Sequence, residues 1–269
     1  MSLSRLNYLS SRENPKVQRV VRLLASRKER WSLNRYIVEG PKFVYDLLRR
    51  DGPVEALYVS ENLRDEVLSL LEKEAHSASF DVYVLPEDLF QRISDATTSQ
   101  GVLAEVRFDA KKVNAELSRV NWLALNGIQD PGNVGALVRS AVAVGGFGLM
   151  LDEASADPFS PKAVRASAGL VGEANVLRSS DLSVPLQKLR QDGYLIYGLE
   201  RYGERVYLEL DFSQPFVVVL GAEGRGISSE LTRFFDATVS IPTSQIVESI
   251  NVSIAGSLVL FESSRQKYL

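Results

Sequence analysis

Cysteine is absent from the 269 residues, histidine occurs once, and long apolar runs are missing. The first absence removes disulfides, cysteine-rich zinc sites, iron–sulfur clusters and every thiolate nucleophile. The second leaves His76 alone in SLLEKEAHSAS, where it reads as a solvated helix end. No histidine triad or multi-histidine metal centre can be assembled around it, and no metal site is expected. The longest apolar stretch, 141–151, is diluted by three glycines, against the ~18 to 20 residues that a membrane span needs. The N-terminus also lacks the apolar run of a secretory signal, so the sequence predicts a cytoplasmic protein with no membrane partner. Any chemistry falls to Arg, Lys, Asp, Glu, Ser, Asn and the backbone.

What is present is an ordinary globular composition, with 45% hydrophobic and 24% charged residues. The formal charge of −3 conceals an asymmetry: residues 1–50 carry 12 Lys/Arg and 4 Asp/Glu, leaving the remainder strongly acidic. A basic stretch such as PKVQRVVRLLASRKER suits a polyanion, because each phosphate contact adds salt-sensitive affinity. It equally fits a solvated amphipathic helix with Val17, Val20, Val21 and Leu24 buried.

The length accommodates two domains. Helical and strand patterns alternate through the first hundred residues: helix over 15–30, strand 35–38, helix 41–50, strand 54–59, helix 63–75, strand 82–85, helix 86–93 and strand 101–106. This predicts a small N-terminal α/β domain over 1–107. The polar segment 108–118 reads as a linker. From 119 to 269 the strands are continuous apolar runs, at 122–126, 147–151, 174–177, 194–199, 216–220 and 237–241, which predicts a parallel sheet covered on both faces. A terminal helix is expected over 249–266.

Ligands of such sheets bind at the carboxyl ends of the strands, and three polar or Gly-rich clusters fall there. In NGIQDPGNVGALVRSAVAVGG, Asp130 to Gly132 predict a turn and Asn133 a helix cap, while Arg139 interrupts an apolar helix. Asn133 and Arg139 would lie ~120° apart if both were helical, so they converge only if Asn133 precedes the helix. In VVVLGAEGRGIS the glycines 221, 224 and 226 admit close backbone approach. Their order, G-x-x-G-x-G, and Ile241 at the position of a ribose-binding acid argue against a dinucleotide fingerprint. In SIPTSQIVESINVSIAGSLVLFE the polar Ser249, Asn251 and Ser253 enter a helix on which Ile250, Ile254, Leu258 and Phe261 follow helical spacing.

GIQDPGNVGALVRSA, LGAEGRGIS and IP…VESINVSIA, with KAVRASAG between the first two, together resemble the SpoU/TrmH class of the SPOUT RNA methyltransferases. SSRENPKVQRV…YIVEGPKFV and SDATTSQGVLA resemble the N-terminal substrate-binding domain of that class. The resemblance implies transfer of a methyl group from S-adenosylmethionine (AdoMet) to a ribose 2′-OH of RNA, with rRNA placed ahead of tRNA. It further implies a trefoil knot in the second domain and a homodimer built on that domain. Carried over by position, Asn133, Arg139, Glu223, Ser249 and Asn251 become the catalytic and positioning set. Leu220, Gly221, Gly224, Ile241 and Ile250 become cofactor contacts. The sequence departs from the class at Ser99, Thr243, Gln245, Ile246 and Ile250. A non-enzymatic RNA-binding protein is the alternative, and a nicotinamide-dependent dehydrogenase the third. A guanidinium is a poor proton acceptor, so Arg139 is expected to act as an electrostatic clamp rather than a base.

Overall fold

The computed structural model describes residues 6–74, 80–94, 100–108, 120–244, 246 and 248–267. His76, Ser99, Gln245 and the expected linker from 109 onward lie outside them. The chain divides into two compact units, Met1–Asp109 with Phe159–Gly172, and Ala110–Pro158 with Glu173–Leu269.

In the first unit Asn14 starts α1 (Pro15–Ala25): its side chain accepts the Lys16 N–H at 2.9 Å, and Pro15 fills the first turn. Val17, Val20 and Leu23 form the buried stripe. The single helix expected over 15–30 is broken at Ser26, which turns extended and caps α2 (Arg27–Leu33) by accepting the Glu29 N–H. That S-x-x-E cap is the local signal the periodicity hid. The remaining elements are β1 (Leu6–Tyr8), β2 (Arg35–Glu39), α3 (Pro41–Arg49), β3 (Val54–Ser60), α4 (Arg64–Glu74), β4 (Asp81–Leu85), α5 (Glu87–Ile93) and β5 (Val102–Arg107). The sheet order is β1-β4-β3-β5-β2, with β5 antiparallel to both its neighbours. The short edge strand β1 was not expected from sequence, because three residues carry no period. The segment Phe159–Gly172, containing α7 (Pro161–Ala166), joins this unit through Phe159, whose ring stacks on Phe108 at 4.1 Å and meets Trp31 and Tyr36 edge-on or tilted.

Part of the basic charge of this unit is used internally. Glu105 is fully buried and accepts from Arg19 Nη2 at 2.9 Å and from the Tyr58 hydroxyl at 3.1 Å; Arg35, whose Nε donates to Glu55, forms a further ion pair with it at 3.2 Å. Burial and then the Glu105 carboxylate push the Tyr58 hydroxyl up from its ordinary value. Arg30 is buried as well, and its Nη1 donates to the Leu23 and Leu24 carbonyls at 2.6 and 3.1 Å. It closes the C-terminus of α1 and is not a phosphate contact.

The second unit is one seven-stranded sheet in which every pairing is parallel. Its strands are β6 (Asn121–Asn126), β7 (Phe147–Leu151), β8 (Asn175–Arg178), β9 (Leu195–Leu199), β10 (Arg205–Val206), β11 (Phe216–Gly221) and β12 (Ala237–Ser240), in the order β10-β12-β9-β11-β6-β7-β8. The helices are α6 (Pro131–Val144), α8 (Ser183–Gln191), α9 (Ser229–Thr232) and α10 (Val252–Lys267). All six strands expected here form, and only the two-residue β10 was unforeseen. Gly256 lets α10 close onto its neighbours, since a Cβ there would strike the Leu137 and Leu220 side chains.

Candidate active site

Five strand ends assemble the site. Asp130, not Asn133, caps α6: its side chain accepts the Gly132 N–H at 2.8 Å and Pro131 begins the helix. Asn133 is therefore helical and buried in the first turn. Its Nδ2 donates to Glu223 Oε1 at 2.8 Å, and its Oδ1 accepts Asn251 Nδ2 at 3.0 Å. Asn251 in turn caps α10, taking the Ser253 N–H at 2.8 Å, so the terminal helix starts at Val252 rather than Ser249. A carboxylate from the Gly-rich loop, an amide from α6 and an amide from the start of α10 thus form one chain of hydrogen bonds.

Glu223 is solvent-exposed, and its second oxygen is left to accept from a ligand. It lies between two cavities. The larger, about 490 Å³, is within the usual range for cofactor sites. Leu220, Gly221, Gly224, Ile241 and Ile250 all line it, together with Glu223 and Ser249. The smaller, about 260 Å³, is lined by residues 127–130, Asn133, Ala222 and Glu223. The lining of the larger cavity combines apolar side chains, the Gly-rich loop and charged groups such as Glu200, Arg201 and Arg225, which fits an adenosine joined to a charged amino-acid chain. Among the described residues no cluster of His, Asp or Glu could hold a metal ion.

Gly221 has a different reason from the one its sequence suggests. A Cβ at 221 would run into the Gly226 carbonyl carbon and the Ile227 nitrogen, atoms of its own loop, which closes with a bridge between Ala222 and Gly226. The glycine is required by the loop before any ligand arrives.

Arg139 does not join this group. It is exposed, lines neither cavity and has no partner among the described residues. The helical position of Asn133 explains this: six residues of α6 rotate the two side chains onto different faces. Of the departures from the class, Thr243 lines the larger cavity and Ile246 is 95% exposed.

Sequence reasoning passed over the corner after β9, where Glu200, Arg201 and Tyr202 line the larger cavity, and the support beneath the loops. Asn126 Nδ2 donates to Asp152 Oδ2 at 2.9 Å, and Asn126 Oδ1 accepts the Ser228 N–H at 2.8 Å. Asp152 Oδ1 also accepts the Gly127 N–H at 3.1 Å. These bonds tie together the ends of β6, β7 and the Gly-rich loop. The rule that ligands sit at strand ends would have flagged both places.

The sequence profile of the SpoU rRNA methylase family matches residues 121–261. That of the MRM3-like substrate binding domain matches residues 14–104. The chain is 33% identical over 238 residues to a Mycobacterium avium protein described as an uncharacterised tRNA/rRNA methyltransferase, covering 86% of this chain and 77% of that one. It is 28% identical over 256 residues to the 23S rRNA (guanosine(2553)-2′-O)-methyltransferase RlmP of Bacillus subtilis, covering 95% and 98%. The AdoMet-bound rRNA methyltransferase of Sinorhizobium meliloti matches with a TM-score of 0.79 and 26% identity, over 97% of this chain and 98% of that one.

Proposed function

The chain belongs to the SpoU rRNA methylase family, and on that premise we propose that it methylates a ribose 2′-hydroxyl of RNA from AdoMet, with rRNA as the substrate ahead of tRNA. The observation that carries this reading is the Glu223–Asn133–Asn251 chain of hydrogen bonds, whose Glu223 lines both of two adjoining cavities. AdoMet, held by the lining of the larger cavity, would supply the methyl group from its sulfonium. Glu223 offers its free oxygen to the hydroxyl that approaches from the smaller cavity, and Asn133 fixes the carboxylate's orientation. Ser249, exposed on the cavity wall, supplies a second hydrogen-bonding group. The nucleophile must lose a proton, and the acceptors beside it are the free Glu223 carboxylate oxygen and the adjacent RNA phosphate.

A homodimer is part of the proposal. Ile254, Leu258 and Phe261 recur at helical spacing on α10 and are all exposed, an apolar stripe that suits a second copy of this chain. Arg139, exposed and outside its own site, then acts across that interface as the clamp on the developing alkoxide and its neighbouring phosphate. The division of labour is likewise proposed: RNA binding by residues 1–107, a linker at 108–118, and methyl transfer by 119–269, with the Phe159–Gly172 segment serving the RNA-binding unit. The trefoil knot of the class and a cytoplasmic location complete the reading; no helix among the described residues is long and apolar enough to cross a membrane. The experiment is transfer of labelled methyl from AdoMet to unmodified 23S rRNA, followed by identification of the methylated atom.

A further inference from the structure

The corner after β9 presents an aromatic ring in a way the cofactor cavity does not require. Tyr202 is 80% exposed, the most exposed aromatic side chain among the described residues, and the Arg201 guanidinium carbon sits 4.9 Å from its ring centroid. A single exposed aromatic on a loose loop would need no explanation. This corner is not loose. The Glu200 N–H donates to the Val239 carbonyl at 2.9 Å, and the Glu204 N–H donates to Thr238 Oγ1 at 3.2 Å. Between them Gly203 packs so closely on Val239 and Ser240 that a Cβ has no room. Two residues on, β10 pairs in register with β12. The ring is therefore held in water by an anchored backbone.

We propose that Tyr202, backed by Arg201, is a stacking platform for an RNA base beside the methylated nucleotide, an inference that rests on the methyltransferase reading above. Three features select that occupant. Both residues line the larger cavity, as does Ser249, and the Tyr202 side chain is largely in water there, within reach of substrate bound at the reacting centre. A base of any identity has a face to lay on an aromatic ring, and a guanidinium beside the ring adds cation–π contact and donors for phosphate. Arg201 is released for that role at low cost, because its only ion pair among the described residues is with Glu248 at 3.6 Å and both side chains are exposed. The same cavity offers apolar side chains, Leu199, Leu220, Ile241 and Ile250, on which the cofactor's own ring would pack.

The test uses the full chain with Tyr202→Ala and Tyr202→Phe, and unmodified 23S rRNA and tRNA transcripts as acceptors. The alanine variant should raise the KM for the accepted transcript by roughly 10-fold, within the range of one lost base–aromatic stack, while phenylalanine restores it. Calorimetric AdoMet affinity, although Tyr202 lines the cofactor cavity, should change far less than the KM in either variant. A 2-aminopurine placed next to the methylated nucleotide should be quenched by wild type and Tyr202→Phe and stay bright with Tyr202→Ala. An unchanged KM in Tyr202→Ala overturns the platform. AdoMet affinity that falls by as much as the KM rises also overturns it, and makes Tyr202 a cover for the cofactor. Wild type that binds AdoMet yet methylates neither transcript contradicts the parent reading instead, and the AdoMet measurement separates that case.

Discussion

The Asn251 amide donates to the Asn133 carbonyl oxygen at 3.0 Å across 118 positions of sequence. This bond and the 2.8 Å bond from Asn133 to Glu223 make one amide responsible for orienting both a carboxylate and the start of α10. Asn133→Ala leaves Glu223 Oε1 and the Asn251 amide without their partner. Turnover should fall by about 100-fold, the scale of losing one preorganised donor, with AdoMet affinity nearly intact. Single-turnover rates and calorimetry on the same preparation check both halves.

Gly221 and Ala255 separate loop integrity from ligand binding. Gly221→Ala places a Cβ on the backbone of Gly226 and Ile227, so it should lower Tm even without AdoMet. Ala255→Phe adds a ring to the wall of the larger cavity and should abolish AdoMet binding with a smaller change in Tm. Thermal melts with and without AdoMet distinguish the two; equal behaviour of the variants would remove the cavity as the cofactor site.

Arg139 is exposed, so Arg139→Ala should leave Tm unchanged while lowering turnover by at least ~100-fold. If the arginine acts across a dimer, mixing Arg139→Ala with Asn133→Ala should recover part of the activity that each lacks alone. Phe261→Arg, on the exposed stripe of α10, should shift light scattering toward the monomer and lower activity with it.

The proposal that the basic first unit binds RNA predicts that the cations its fold leaves outside make the contacts. Arg12, Lys28 and Lys42 are exposed, whereas Arg19, Arg30 and Arg35 hold buried partners. Neutralising the first three should flatten the salt dependence of RNA affinity, by roughly 0.7 to 0.9 in the log–log slope per phosphate contact. Arg30→Ala should instead lower stability, readable as a drop in Tm.

Acid sensitivity has one identifiable source in α10. Arg265, bonded at 2.7 and 2.8 Å, and Gln266 hold the Glu262 carboxyl at about 2, below its ordinary 4.5. The folded form is the more acidic one, so this stabilisation is complete above the unfolded value and drains away as pH falls from about 4.5 toward 2. Glu262→Gln should be less stable than wild type at neutral pH and should converge with it in acid, as measured by denaturant midpoints.

Much of this was legible in the sequence because long apolar strands declare themselves by composition: all six expected strands of the second unit form within a residue or two of their predicted ends. The three site clusters were legible for a related reason, since Gly, Asn and Asp punctuate strand ends. What escaped was decided by single contacts. Ser26 breaks a helix that periodicity continues, and Asp130 rather than Asn133 takes the cap, which moves Asn133 onto the helix and rotates Arg139 away. Burial of Arg30 cannot be read from a charge count, because carbonyls 6 and 7 residues away accept its protons. The exposure of Ile254, Leu258 and Phe261 was also hidden, as spacing shows a stripe but not what covers it.

The central claim is that the methyl group lands on a ribose oxygen, and alkaline cleavage tests it at that atom. Cleavage requires the 2′-oxygen to attack the neighbouring phosphorus, so a methyl there protects a single bond. RNA incubated with the protein and AdoMet should show one gap in an alkaline hydrolysis ladder, and a transcript carrying a 2′-deoxy sugar at that nucleotide should accept no methyl. A methylated product with an unbroken ladder, or a deoxy substrate that is still methylated, would show that the acceptor is a base and contradict this account.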